Sequence, residues 1–265
     1  MVKEFKDKNY WALILGGSSG LGLASAQKLA KHGMNICIVH RNRKTDMVSI
    51  GREFERIKSK DVELLYFNAD ALNIHKRKEI LDTIRTRLGQ NGKIRTLVHS
   101  IAKGNLKPMH SLDLPVLKND DFHITIEAMA ISLYDWTKLI HENRLFADDS
   151  RIISFTSEGN SKAWENYAAV SAAKASLEAI TRNIALEFAR FGIRANCIQA
   201  GVTDTPSFRM IPGSTKLKSF TKIRNPFKRL TEPKDVADVV YLLCKDEAAW
   251  INGSIIPVNG GEHIA

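Results

Sequence analysis

Short, continuous apolar runs alternate with longer amphipathic stretches along the whole chain, and this alternation limits the fold more than any other feature. YWALILGG (Tyr10–Gly17) reads as a buried strand, Leu21–His32 as a helix and NICIVH (Asn35–His40) as a second strand. VELLYFNAD (Val62–Asp70) reads as a third strand, with a helix from about Ile74 to Leu88 behind it. IRTLVHS (Ile94–Ser100) is a fourth, followed by a loop and a long helix near Phe122–Asn143. RIISFTS (Arg151–Ser157) is a fifth, followed by a helix over about Glu165–Arg190. IRANCIQAG (Ile193–Gly201) and SIIPVNGG (Ser254–Gly261) supply a sixth and a seventh. Strands that are apolar along their length belong in a parallel sheet covered on both faces. The expected fold is therefore α/β: a seven-stranded parallel sheet with helices on both faces. With 265 residues and no repeat or Gly/Ser linker, a single domain is expected.

Ligands of such sheets bind beyond the carboxyl ends of the strands. After the first strand comes GGSSGLG, with Gly16, Gly20 and Gly22 opening a helix. Glycines here let the turn take positive φ and let backbone approach a pyrophosphate, which the free N–H groups of the helix terminus then hold. This strand–turn–helix pattern makes the sheet a Rossmann-type doubly wound one. After the second strand a carboxylate would bond a ribose 2′-hydroxyl and select NAD. The chain has Arg41 and Arg43 there, with Lys44 behind, which favours a 2′-phosphate and hence NADPH over NADH, unless the loop is merely basic. Asp70, after the third strand, can accept a hydrogen bond from an adenine amino group, cap the following helix, or do both.

The stretch YAAVSAAK places Tyr167 and Lys174 seven residues apart on one expected helix. Seven residues return to within about 20° of the starting direction, so the two share a face two turns apart. A phenol with a pKa near about 10 exchanges protons poorly at neutral pH. A neighbouring ammonium and an oxidised nicotinamide would lower that value. The lysine can also hold the nicotinamide ribose, which makes the pair an acid with its tuner beside a hydride carrier.

Net charge is +10, and no acid lies between Ser207 and Thr231, where Arg209, Lys216, Lys218, Lys222, Arg224, Lys228 and Arg229 all fall. The balance suits an acidic partner, but no nucleic-acid motif accompanies it. Cys37, Cys197 and Cys244 are an odd, widely spaced set that fits neither a disulfide framework nor a metal site, and the histidines show no ligand spacing. His99 reads as a buried, satisfied imidazole at the end of the fourth strand. No apolar run reaches the ~18–20 residues needed to span a bilayer. The N-terminal MVKEFKDKNY lacks an apolar signal core, so a cytoplasmic protein is expected.

Taken in order, these motifs resemble the short-chain dehydrogenase/reductases over essentially the whole chain. Most members place Tyr and Lys four apart, where this chain has Val170. The seven-residue spacing resembles the enoyl-[acyl-carrier-protein] reductase branch, as do LVHSIA (Leu97–Ala102), YAAVSAAKASLEAITR, AGVTDTP (Ala200–Pro206) and VNGGEHIA. The NADH-using form of that branch has a second tyrosine ten residues before the first, where this chain has Ser157. SFTSEGNSKAWENY is closer to the NADPH-using bacterial type III form.

The resemblance implies catalytic roles for Tyr167 and Lys174. Ser157 either bonds the thioester carbonyl or only ends its strand. It implies cofactor contacts from Gly16, Ser18, Ser19, Gly20, Leu21 and Gly22, from Arg41, Arg43, Asp70 and Ala71, and from Ser100, Ile101 and Lys174. Val202 would offer backbone to the carboxamide, with Thr205 beside it. The implied reaction is reduction of the trans-2 double bond of an enoyl thioester in fatty-acid elongation, in a homotetramer without metal. The basic segment at about 203–231 would cover the substrate, and Lys216, Lys218, Lys222 and Arg224 would steer an acidic acyl-carrier protein, unless the segment is a basic cover without a partner. The competing expectations are a carbonyl reductase acting on a 3-oxoacyl thioester or a secondary metabolite, and a non-catalytic NADP-binding regulator.

Overall fold

The computed structural model describes residues 3–265; Met1 and Val2, which open the charged N-terminal stretch, lie outside the described residues. The strands are β1 (Tyr10–Leu15), β2 (Asn35–His40), β3 (Leu64–Asn68), β4 (Lys93–His99), β5 (Phe146–Thr156), β6 (Ile193–Ala200) and β7 (Ile255–Val258). They form one sheet in the order β3-β2-β1-β4-β5-β6-β7, with every pairing parallel. The helices are α1 (Gly20–Lys31), α2 (Met47–Lys58), α3 (Ile74–Leu88), α4 (Asn119–Ile126), α5 (Ser132–Glu142), α6 (Ala168–Glu187), α7 (Pro206–Arg209), α8 (Ser214–Arg224) and α9 (Pro233–Cys244).

Side chains of a strand alternate between faces, and β1 uses both. Leu13 and Leu15 join Leu81 of α3, Trp136 of α5 and Leu177 of α6 in one core. Ala12 and Ile14 join Leu29 of α1, Phe54 of α2 and Val240 of α9 in the other. Each large apolar side chain buried this way contributes about 1.5–3 kcal/mol. After β3 the chain crosses back to lay β4 beside β1. The winding direction reverses between these two strands, which opens a crevice at their carboxyl ends.

Four local features depart from the pattern of apolar runs. β5 begins at Phe146, five residues before the run at Arg151, and its register with β4 shifts between Ile94 and Thr96. The polar Asp148–Asp149 hides this first half. Asp149 is tolerated in a strand because it pairs with Arg151 of its own strand and with Arg95 of β4 and Arg194 of β6 on either side. The long middle helix is two α-helices joined by a π-helical turn at Glu127–Ile131. Tyr167 is not inside α6 but is its N-cap residue, with Ala168 the first helical position. Finally, α2 and α9 are missing from the pattern, because each buries only a narrow stripe: Ile50, Phe54 and Ile57 in α2, and Val236, Val240 and Leu243 in α9.

Candidate active site

Gly16 leaves β1 with φ +84°, its N–H donating to Val39 O at 2.8 Å. A Cβ at Gly16 would stand 2.3 Å from Ser100 O, and one at Gly22 would stand 2.4 Å from Gly16 O. Ser100 N–H donates to Leu15 O at 2.8 Å. Only glycines allow these backbones to meet. α1 then starts at Gly20 with no acid in its first turn, and its N-cap residue Ser19 makes no side-chain bond to the helix amides. The orphan N–H groups at the helix start are what an anionic diphosphate needs, so the residues present fit a dinucleotide. Ser19, Gly20, Leu21, Ser100 and Ile101 line the cavity that opens here, whereas Ser18 and Gly22 do not.

The residues at the tips of β2 and β3 stand outside that cavity. Arg41 pairs with Asp70 at 2.8 Å. The other oxygen of Asp70 accepts from Leu72 N–H at 2.9 Å. Partial burial pushes the Asp70 carboxyl up, but Leu72 N–H, the Arg41 guanidinium and Lys103 outweigh it and hold the group below the usual carboxylate range. Asp70 does not cap α3. Asn73 does, accepting from His75 and Lys76 N–H, because Asp70 lies too far ahead of the first turn and forms its own turn instead. Arg43 is exposed. Ala71 is buried, and its carbonyl accepts from Trp136 Nε1 at 3.0 Å.

Tyr167, Lys174 and Ser157 line one cavity of about 740 Å³ together with the glycine loop. β5 ends at Thr156, so Ser157 stands at the strand's carboxyl end, and α6 returns Tyr167 and Lys174 to the same place. The Tyr167 hydroxyl lies 3.4 Å from Ser157 Oγ. Lys174 Nζ donates to Phe155 O at 2.5 Å. Burial lowers the Lys174 amine to about 8, with Cys197 and Glu178 acting the other way. Within the chain itself, the Lys174 ammonium does not lower the phenol. Burial pushes it above its ordinary range, and the group that favours its ionisation is the Ser157 hydroxyl rather than Lys174. His99 is buried at the end of β4 with Nε2 2.8 Å from Ser132 Oγ, and burial together with Lys174 holds it neutral, down to about 3.

The far wall comes from the segments after β6. Val202 N–H donates to the Glu262 carboxylate at 3.2 Å, and Val202 O accepts from Thr231 N–H at 3.1 Å, so both of its backbone groups have partners within the chain. Thr205 Oγ1 accepts from Phe208 N–H at 3.2 Å to cap α7. The hydroxyl keeps its proton for an acceptor in the cavity. Beyond Tyr167 the lining turns apolar, with Leu106, Met129, Trp164, Val170 and Ile211.

In the basic segment, Arg224 is sequestered. It donates to Glu158 at 2.6 Å and to Glu262 at 2.8 Å. Burial disfavours its charge, but the two carboxylates more than compensate. Lys218 pairs with Asp204 at 2.5 Å, while Lys216 and Lys222 are exposed. Glu158, Glu262 and Trp164 are site residues that the motifs did not reveal. Glu158 adjoins Ser157, the one signal available, while Glu262 is brought in only by the C-terminal turn. Among the described residues no group of His, Cys, Asp and Glu could hold a metal ion, and the three cysteines are buried and free. No described helix is long and apolar enough to cross a membrane.

The family model described as Enoyl-(Acyl carrier protein) reductase matches residues 16–263. The chain belongs to the short-chain dehydrogenase/reductase family. Its members are oxidoreductases that use a nicotinamide dinucleotide. The 7alpha-hydroxysteroid dehydrogenase of Paraclostridium sordellii is 30% identical over 261 residues, spanning 98% of this chain and 94% of its own. The 3-oxoacyl-[acyl-carrier-protein] reductase FabG of Staphylococcus epidermidis is 28% identical, spanning 97% of this chain and 100% of its own. In shape, this short-chain dehydrogenase/reductase is similar to FabI from Candidatus Liberibacter asiaticus, with a TM-score of 0.85 over 100% of this chain and 98% of that one. At 21% identity that likeness concerns the fold alone.

Proposed function

We propose that this short-chain reductase is an NADPH-dependent enoyl-thioester reductase. The observation that carries the reading is the position of the phenol. Tyr167 stands seven residues before Lys174, and Val170, at the position four before it, presents an apolar side chain to the same cavity. A carbonyl reductase needs its acid beside the carbon that receives hydride, whereas conjugate reduction needs it two atoms further away. Displacing the phenol by about one helical turn, roughly 5 Å, suits the second geometry.

The cofactor, when bound, supplies a hydride to the β-carbon of a trans-2-enoyl thioester. Tyr167 then hydrogen-bonds and protonates the thioester oxygen, where the negative charge of the enolate develops. The resulting enol passes to the saturated thioester by moving that proton to the α-carbon. Ser157, 3.4 Å from the phenol, offers a second donor to the same oxygen. Lys174 holds the nicotinamide ribose. Leu106, Met129 and Trp164 take the acyl chain and exclude water. Arg41, oriented by Asp70, and Arg43 receive the 2′-phosphate, which supports NADPH over NADH. Exposed Lys216 and Lys222 on α8, together with exposed Phe220 and Ile223 of the same helix, make a cationic and apolar surface suited to an acidic acyl-carrier protein. A homotetramer is part of the same reading, supported by the exposure of Tyr134 on α5, Leu186 on α6 and Trp250 just before β7.

A second reading, reduction of a 3-oxo thioester or another ketone, is favoured by the FabG and hydroxysteroid dehydrogenase relatives and by the pairing of the Ser157 and Tyr167 hydroxyls. Following the absorbance of reduced nicotinamide with crotonyl and, separately, acetoacetyl thioesters separates the two. The enoyl reading expects NADPH to be consumed with crotonyl thioester; consumption with the 3-oxo thioester alone would establish the other.

A further inference from the structure

Gly159 lies on the loop after β5, and its surroundings are not those of an ordinary turn glycine. It is not among the positive-φ glycines of the chain, so its backbone does not call for glycine. Instead, a Cβ built there would stand 2.5 Å from Cε1 and 2.9 Å from Cδ1 of Tyr167. One edge of the phenol ring, up to the carbon beside the hydroxyl-bearing atom, therefore rests directly on the Gly159 backbone. On another side Trp164 packs against the ring, with centroids 5.2 Å apart and planes at 50°. The loop beneath is held on both sides of Gly159. The buried Glu178 of α6 accepts from Asn160 Nδ2 at 2.5 Å and from the Thr156 hydroxyl. The loop that carries Ser157 is thus tied to the helix that carries Lys174.

We propose that Gly159 is the positioning residue for Tyr167: the absent side chain lets the ring lie against the loop and brings its hydroxyl beside Ser157. The inference rests on the function proposed above. A methyl group at this site moves the ring by a substantial fraction of an ångström, because the atoms it meets belong to a rigid ring wedged against Trp164. Displacements of about 1 Å at a reacting group cost on the order of 100-fold in rate.

The test compares Gly159→Ala, Tyr167→Phe and the double variant, using NADPH with crotonyl- and acetoacetyl-coenzyme A. Gly159→Ala is expected to lower kcat by about 100-fold while NADPH affinity, read by nucleotide fluorescence, stays within about twofold. In the Tyr167→Phe background the same change is expected to cost less than about twofold, because residues acting through one group are not additive. Unaltered kcat in Gly159→Ala, or a similar loss in both backgrounds, overturns the proposal while leaving the function standing. Full turnover by Tyr167→Phe overturns the function itself. An arm independent of activity guards against misfolding: any fall in Tm caused by Gly159→Ala is expected to vanish in a Tyr167→Ala background, where no ring is left to meet the methyl group. A fall that persists there also overturns the proposal.

Discussion

At the scale of single residues, the site is governed by burial. The Tyr167 phenol and the Lys174 amine are both moved by desolvation toward their neutral forms, and no strong ion pair rescues the amine. Replacing Tyr167 with Phe is expected to lower kcat by at least about 100-fold, with the KM for NADPH nearly unchanged, since a transition-state hydrogen bond is lost and no ground-state contact with the cofactor is. Lys174 has a stability signature as well. Its folded value of about 8 lies below the ordinary 10.5, so the unfolded chain binds the proton more tightly between those values. Stability therefore rises with pH across that window. Compared with Lys174→Met, the wild-type protein is expected to be less stable below pH 8 and to close the gap toward 10.5, measured by denaturant unfolding. For Arg41, removal to Ala is expected to raise the KM for NADPH about tenfold or more and to leave that for NADH unchanged, since a hydrogen bond to a charged group contributes about 1.5–3 kcal/mol. Equal effects on the two cofactors would count against a 2′-phosphate site.

Elements show how much was legible beforehand. All seven strands stand where the apolar runs predict them; β1, β2, β4, β5 and β6 are buried on both faces and cannot alternate with polar residues, whereas the edge strands β3 and β7 are only partly covered. The first half of β5 was hidden because Asp149 makes it look like a loop, and only its pairing with Arg151 of the same strand and with Arg95 and Arg194 of β4 and β6 explains it. Sequence spacing brings Tyr167 and Lys174 to one place, yet the helix cap on which Tyr167 sits and the glycine beneath its ring are tertiary facts. The same holds for α8. Its cations read as one exposed patch, but Arg224 is turned inward between Glu158 of the β5 loop and Glu262 of the C-terminal turn. Arg224→Ala leaves the poorly solvated Glu262 without a counter-ion and Glu158 with Lys162 alone, at a cost of about 3 kcal/mol. It is expected to expose α8 to limited proteolysis and to lower Tm, while Lys216→Ala changes neither. An α8 that stays protected in Arg224→Ala would show that the ion pair does not hold the helix down.

For the whole molecule, the two ends of the sheet do different things. The carboxyl end is open and carries the site. The opposite end is braced by buried Arg95 and Arg151, with Arg194 beside them, all on the single carboxylate of Asp149. Although partial burial opposes it, hydrogen bonds from Arg151 and Arg95 lower that carboxyl to about 2. Its contribution to stability is fully present above the ordinary 3.8 and is lost as pH falls through about 2. Asp149→Asn is expected to lower Tm at neutral pH and to show a shallower loss of stability over that acid range, followed by circular dichroism. At the carboxyl end, where β1 and β4 part, Gly16, Ser100 and Gly22 touch without space for one methyl group. Mutation can lengthen this protein's loops, reshape α8 or recast the apolar wall of its cavity, and so change what it acts on. That three-backbone contact tolerates no such drift, and descendants of the chain that take up new substrates will carry it unaltered.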